Sequence, residues 1–238
     1  LADLENEAIK PEPIAEGFLY RGTSNMLVGN PGEGKSTIAL DIALSLSCRH
    51  PIFNSFPVLN EQKVYFLALE GSYYELIERI RMMRTKIPFN ANNFCVDSTE
   101  ILDAQSPRQV DLLIERIGNW HTPDWIFIDP IYMAVRGGLS KDEPASAFVQ
   151  FCERLKRRFD CSLFFTHHPV KQSYTRDGDA IVKDDDFYGS IWLKAHVNVS
   201  WRLAYPTKKY LPVLRNKKSR GLSVLEEIPL EFDVESYT

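Results

Sequence analysis

Almost continuously apolar runs alternate along this chain with segments that are apolar on one side only. The short runs are typical of strands that are buried on both faces of a sheet. Between them, residues such as Val110, Leu113 and Ile117 recur at helical spacing, which indicates amphipathic helices. The predicted buried strands lie at residues 25–29, 63–71, 124–130 and 161–168.

Beyond Tyr188 the pattern changes to short strands with alternating polarity and turn signals. Strands that alternate with helices predict an α/β fold with a mostly parallel central sheet flanked by helices, here followed by an antiparallel C-terminal extension. Residues 1–17 are polar and contain two prolines, so we predict a linker there. Residues 18–238 are then expected to form one domain.

Composition adds constraints but no function. The chain has 238 residues, 44% of them hydrophobic, and a net charge of -4, so it can bury a full core and does not advertise a nucleic-acid partner. Its four cysteines form no CxxC pair, which favours reduced thiols in a cytoplasmic protein. No apolar run approaches the ~20 residues that span a bilayer, and the acidic, polar N-terminal stretch does not resemble a signal peptide.

The stretch GNPGEGKST follows a predicted strand and precedes a predicted helix, and it fits the phosphate-binding pattern GxxxxGK[ST]. Glycines let backbone N–H groups surround phosphate oxygens, and the helix N-terminus adds its dipole. Lys35 would neutralise the terminal phosphates and Ser36 would bind Mg²⁺. The alternative is a glycine-rich turn that happens to contain a lysine. The predicted nucleotide-binding residues are Gly29, Asn30, Pro31, Gly32, Glu33, Gly34, Lys35, Ser36 and Thr37.

Two carboxylates end predicted strands. Asp129, in WIFIDP, is expected at the carboxyl edge of the sheet, where it would join Ser36 as a Mg²⁺ ligand. Glu70 ends VYFLALE and would polarise a water for attack on the γ-phosphate. An ordinary turn at Asp129 and a solvated strand end at Glu70 are the alternatives.

A pair of adjacent histidines, His167 and His168, ends the strand SLFFTH. Successive strand residues face opposite ways, so both imidazoles cannot point at one phosphate. Metal ligation is the poorer interpretation, because no cysteine or further histidine stands at ligand spacing. A satisfied polar strand end is the remaining alternative.

Together, in this order, the phosphate loop, Glu70, Asp129 and the THH motif resemble the RecA-like P-loop NTPase core of hexameric replicative helicases of the plasmid RepA-like and DnaB-like group. The resemblance covers about residues 22–232. It implies that Glu70 is the catalytic base and that His168 contacts the γ-phosphate, with His167 beside it.

The same resemblance implies partners. In RNKKSRG, Lys218 and Arg220 match a K-x-R pair that DnaB-like helicases insert into the neighbouring subunit's nucleotide site, and Arg215 and Lys217 would replace them if the register differs. An arginine supplied in trans stabilises transition-state charge. A basic surface hairpin is the alternative. The implied assembly is a ring, expected to be a hexamer.

Loops in this region of such rings line a central channel, so the resemblance also implies contact with single-stranded DNA. Aspartates make the loop at residues 171–186 acidic overall, and a solvated surface loop is the alternative. The candidate DNA contacts are Lys171, Arg176 and Lys183, with Arg136 and Lys141 as secondary candidates.

The sequence therefore predicts an ATP-dependent DNA helicase or translocase that uses ATP and Mg²⁺. The alternative is a RecA-like or KaiC-like ATPase that acts in recombination or signalling without unwinding DNA. A nucleotide-binding module without hydrolysis is a third class.

Overall fold

The computed structural model describes residues 11–98, 102–168, 173–174, 180–181, 190–205, 211–231 and 233. Its strands are β1 (Pro13–Ala15), β2 (Leu19–Tyr20), β3 (Ser24–Val28), β4 (Val64–Ala68), β5 (Phe94–Asp97), β6 (Trp125–Asp129), β7 (Ser162–His167), β8 (Ser173–Tyr174), β9 (Ala180–Ile181), β10 (Val199–Ala204), β11 (Val213–Ser219) and β12 (Glu227–Pro229). Its helices are α1 (Lys35–Cys48), α2 (Tyr73–Met83), α3 (Pro107–Trp120), α4 (Asp142–Phe159) and α5 (Ile191–His196), with a 3₁₀ turn at Ile131–Ala134.

Within these residues, eight strands form one sheet in the order β12-β11-β10-β3-β7-β6-β4-β5. Pairing is parallel from β10 to β5, whereas β11 and β12 add antiparallel strands at the other end. The predicted α/β class, the mostly parallel sheet and the antiparallel C-terminal extension are confirmed.

Each parallel strand supplies side chains to two hydrophobic cores, one on each face of the sheet. Strand β6 shows the alternation, with Trp125 and Phe127 in one core and Ile126 and Ile128 in the other. Helices α1 and α2 cover the first core, and α3 and α4 cover the second. Covering both faces explains why the strands are apolar throughout.

Helix α1 has no polar face in its middle, because residues 38–47 are all buried. It therefore lies between the sheet and the chain that follows it. Asp41 is the charged residue in this stretch, and burial raises its pKa to about 7, while a hydrogen bond with the Phe53 backbone lowers it.

Part of the expected N-terminal linker belongs to the folded domain. Within the range 1–17, β1 pairs antiparallel with β2, and Ile14 and Ala15 are buried against the first core. The linker prediction is therefore wrong for residues 13–15, because one isoleucine and one alanine in a polar stretch gave no periodic signal. Residues 1–10 lie outside the described residues.

Two smaller expectations concern the thiols and the membrane. Cys48, Cys95, Cys152 and Cys161 are all free. In the part of the chain that the structure describes, none of the helices is long and apolar enough to cross a bilayer.

A buried hydrogen-bonded chain joins α5 to the amino end of the sheet. The imidazole of His196 lies 3.1 Å from Ser24 Oγ through Nε2 and 3.2 Å from Glu153 Oε1 through Nδ1. A carboxylate only accepts, so Nδ1 donates to Glu153 and Nε2 accepts from the Ser24 hydroxyl. Ser24 is fully buried, which excludes it as a nucleophile for an outside substrate.

This chain predicts a pH-dependent stability. Burial, as the largest cause, lowers the pKa of His196 from 6.5 to about 4. The unfolded chain binds more protons between those values, so the free energy of unfolding contributed by His196 should fall as the pH drops from about 6.5 to about 4. The loss should reach up to roughly 3 kcal/mol.

The measurement is urea unfolding of the wild type and His196→Gln at several pH values. The difference between the two proteins isolates His196, because Asp41, with its raised pKa, contributes a slope of opposite sign over an overlapping range. A constant difference across this pH range would contradict the prediction.

Candidate functional site

The loop between β3 and α1 is shaped by glycines. Gly32 and Gly34 have φ angles of 78° and 88°, and a Cβ at either position would meet nothing within 4 Å. A Cβ at Gly29 would instead lie 3.1 Å from both Lys35 Cγ and Glu33 Oε2. The left-handed conformation at the first two positions and the crowding at the third all favour glycine.

Glu33 closes this loop on itself. Its carboxylate accepts hydrogen bonds from the backbone N and from Nδ2 of Asn30, both at 2.5 Å. At the other side of the loop, Gly29 N donates to the His167 carbonyl at 3.2 Å. The loop is thereby held at the carboxyl edge of the sheet.

The N-terminus of α1 opens toward this loop. Gly34 stands at the N-cap, and no side chain caps the helix there. The first N–H groups of a helix lack partners within the helix and carry the positive end of its dipole. An open glycine loop ahead of such a terminus fits a bound phosphate.

Lys35 lies at the base of the loop with 7% of its surface exposed, and its Nζ donates to the Asn30 carbonyl at 2.8 Å. Burial lowers the pKa of Lys35, whereas Asp129, Glu33 and Glu70 raise it. Three carboxylates therefore favour the charged ammonium in this partly dry position.

Asp129 ends β6 and is 8% exposed. Its Oδ1 accepts a hydrogen bond from Ser36 Oγ at 3.2 Å and another from Thr166 Oγ1. Burial raises the pKa of Asp129, and the two hydroxyls and Lys35 lower it.

The Ser36 and Asp129 oxygens fit a Mg²⁺ site, because this hard cation takes oxygen ligands and keeps several waters and phosphates. Among the described residues, no group of three or more His, Cys, Asp or Glu side chains forms a metal cage. A magnesium ion shared with substrate phosphates needs no such cage.

Glu70 and His168 complete the edge. Leu69 N donates to the Asp129 carbonyl at 2.7 Å, which brings the end of β4 beside β6. Burial and Lys35 lower the pKa of His168, whereas Glu70 and the Gly29 backbone raise it, so the imidazole is neutral near pH 7. His168 Nδ1 has no hydrogen-bond partner among the described residues.

These groups surround one cavity of about 450 Å³. The predicted residues that line it are Pro31, Gly32, Gly34, Lys35, Ser36, Thr37, Glu70, Asp129 and His168. His167 does not line it: the side chain is 1% exposed, and only its carbonyl contributes, through the bond from Gly29. The two adjacent histidines therefore point apart.

Four further residues line the cavity: Arg79, Pro130, Tyr132 and Thr166. Thr166 had a signal in the sequence, because it stands two residues before His168 and so shares its face of β7. Arg79 lies on α2, whose capping box at Ser72 and Glu75 fixes the helix start. No local pattern distinguished Arg79 or Tyr132 from surface residues.

The C-terminal basic residues lie away from this cavity. Lys218 pairs with Ser200, and the Arg220 N–H donates to the Asn198 carbonyl, so both lie toward the amino end of the sheet. Lys218 Nζ donates to the Lys194 carbonyl, and Arg220 is exposed. Arg215 forms an ion pair with Glu227 at 2.8 Å, and Lys217 is exposed.

The candidate DNA contacts Lys171, Arg176 and Lys183 lie outside the described residues. Of the secondary candidates, Arg136 is 77% exposed in its side chain and pairs with Asp103 at 3.1 Å. Lys141 is exposed at the N-cap of α4.

Comparison with known proteins adds two findings. A family described as an AAA domain matches residues 1–174, well over half of the chain. The solved ATPase domain of a DnaB-like helicase superposes with a TM-score of 0.67 at 13% sequence identity, covering 100% of this chain and 94% of that chain. No curated protein matches.

Proposed function

Because this chain belongs to the AAA-domain family and is a P-loop ATPase with a RecA-type core, we propose that it is a subunit of a ring-shaped DNA helicase. In this proposal, hydrolysis of Mg-ATP moves the ring along single-stranded DNA. One observation supports it above all. Lys35, Glu70, Asp129 and His168 come from four separate segments, yet their side chains line the same cavity.

The first task of these residues is to hold the triphosphate. Backbone N–H groups of the glycine loop and the N-terminus of α1 bind phosphate oxygens, and the Lys35 ammonium neutralises their charge. Ser36 and Asp129 hold Mg²⁺, which supplies further charge neutralisation when bound.

Glu70 then acts as the general base. Its carboxylate accepts a proton from the attacking water, which makes the water a better nucleophile toward the γ-phosphate. His168 stands on the neighbouring strand, and its imidazole hydrogen-bonds the terminal phosphate and loses that contact after hydrolysis. His168 thereby senses the nucleotide state, and His167 supports the loop through its carbonyl.

Lys218 and Arg220 are proposed to complete the site of a neighbouring subunit. Their position toward the opposite end of the sheet keeps them from the cavity of their own chain, which supports a role in trans. An arginine delivered by a neighbour makes hydrolysis depend on assembly. Turnover per subunit should therefore rise with protein concentration as the ring forms.

The proposed DNA contacts are Lys171, Arg176 and Lys183, in a segment that also contains five aspartates between residues 177 and 186. The positive side chains would bind backbone phosphates of single-stranded DNA in the channel of the ring.

The test is ATP hydrolysis by the purified chain with and without single-stranded DNA, alongside the mass of the assembled species. We expect DNA to stimulate hydrolysis severalfold, because a translocating motor couples each turnover to movement on its track. The stimulation should weaken as salt rises. Hydrolysis that is insensitive to DNA in an assembled ring would favour a RecA-like or KaiC-like ATPase without unwinding activity.

A further inference from the structure

Tyr132 stands between the two residues that act on the terminal phosphate in the proposed mechanism. It follows Asp129 by three positions in the 3₁₀ turn Ile131–Ala134. Ile131 and Ala134 are fully buried in the second core and fix this turn on the sheet. The Tyr132 side chain, in contrast, is only partly buried and lines the cavity.

The hydroxyl of Tyr132 hydrogen-bonds with the Glu70 carboxylate. Burial, this hydrogen bond and the charges of Glu70 and Asp129 raise the pKa of Tyr132 to about 12, so the phenol keeps its proton and is the donor. Glu70 itself is exposed at the end of β4. An exposed glutamate samples many rotamers, and Tyr132 is the side chain that restrains it among the described residues.

The ring of Tyr132 contacts His168. The two ring centroids are 5.0 Å apart with an interplanar angle of 44°. The same residue thus reaches Glu70 with its hydroxyl and His168 with its ring. Among the described residues, no other aromatic side chain lines the cavity besides these two rings.

We infer that Tyr132 is a positioning residue that orients the Glu70 carboxylate toward the attacking water and supports the His168 imidazole beside it. The inference rests on the proposed function and deepens it. A carboxylate has two oxygens: the phenol occupies one, and the other stays available to the water. Supporting a catalytic group from a rigid element keeps it in its productive geometry.

Two substitutions separate the two contacts. Tyr132→Phe removes the hydroxyl and keeps the ring, so kcat for ATP hydrolysis should fall about 10-fold while KM changes less than about twofold. Tyr132→Leu also removes the ring, so KM should rise in addition, because His168 loses the side chain that supports it. Tyr74→Phe is the matched control, since Tyr74 is 72% exposed and does not line the cavity.

A double substitution tests whether the hydroxyl acts through Glu70. Single-turnover hydrolysis by Glu70→Gln should be no slower after Tyr132→Phe is added, because the positioned base is already gone. A further loss equal to that in the wild-type background would mean that the hydroxyl acts on substrate directly, and this would overturn the inference.

The remaining outcomes distinguish this inference from the proposed function. An unchanged kcat in Tyr132→Phe, with Glu70→Gln inactive, overturns the role of Tyr132 and leaves the proposed function standing. Full activity of Glu70→Gln would overturn both. Thermal melting of each variant within a few degrees of the wild type assigns the kinetic changes to the site rather than to the fold.

Discussion

Replacing Glu70 with Gln should reduce ATP hydrolysis by at least about 100-fold, the scale expected for loss of a general base. The amide has nearly the same shape but cannot accept a proton from water at neutral pH. ATP binding should persist, because the Gly29–Thr37 loop and Lys35 remain unchanged. Phosphate release under saturating ATP measures turnover, and titration with a fluorescent ATP analogue measures binding.

Glu78→Gln is the matched control for this change. Glu78 lies on α2, does not line the cavity and forms an ion pair with Arg81 on the helix surface. Its loss should leave turnover unchanged, since exposed ion pairs contribute little to stability. Wild-type hydrolysis by Glu70→Gln would remove Glu70 from the role of base.

Replacing Lys35 with Ala should abolish measurable ATP turnover because the triphosphate is no longer held. A hydrogen bond to a charged group contributes roughly 1.5–3 kcal/mol, so the affinity for ATP should fall by about 10- to 100-fold. Isothermal titration calorimetry with Mg-ATP measures the change. This variant therefore loses both binding and turnover, whereas Glu70→Gln loses turnover alone.

The fold should survive this substitution, because burial already disfavours the Lys35 ammonium and its hydrogen bond is to a single loop carbonyl. Lys86→Ala provides the control: Lys86 is 62% exposed and pairs with Asp233 at 3.8 Å. It should bind ATP like the wild type. Unchanged ATP affinity in a folded Lys35→Ala protein would exclude the proposed phosphate contact.

Much of the fold could be predicted because its signals are local. Strands buried on both faces need apolar residues at every position, and each such run corresponds to a parallel strand. The phosphate loop was equally readable, since only glycine fits its left-handed positions. The same reasoning failed at Pro13–Ala15, where a short strand is stabilised by distant core contacts instead of a pattern of its own.

The site was partly readable for a related reason. Glu70, Asp129 and His168 each end a strand, and parallel strands bring such ends to one edge of the sheet. The direction of each histidine followed from strand alternation. The placement of Lys218 and Arg220 followed from no such rule, because it depends on how β11 pairs with β10.

By itself, the sequence determined which segments become strands and helices, and it determined that a phosphate loop, two carboxylates and an imidazole stand at their ends. Only the tertiary structure decided the strand order, the Thr166–Asp129 hydrogen bond, the approach of Arg79 and the contact of Tyr132 with Glu70 and His168. The physical reason is the range of the interactions. Backbone geometry and apolar periodicity act between neighbours in the chain, whereas these contacts form between residues that only the packed sheet brings together.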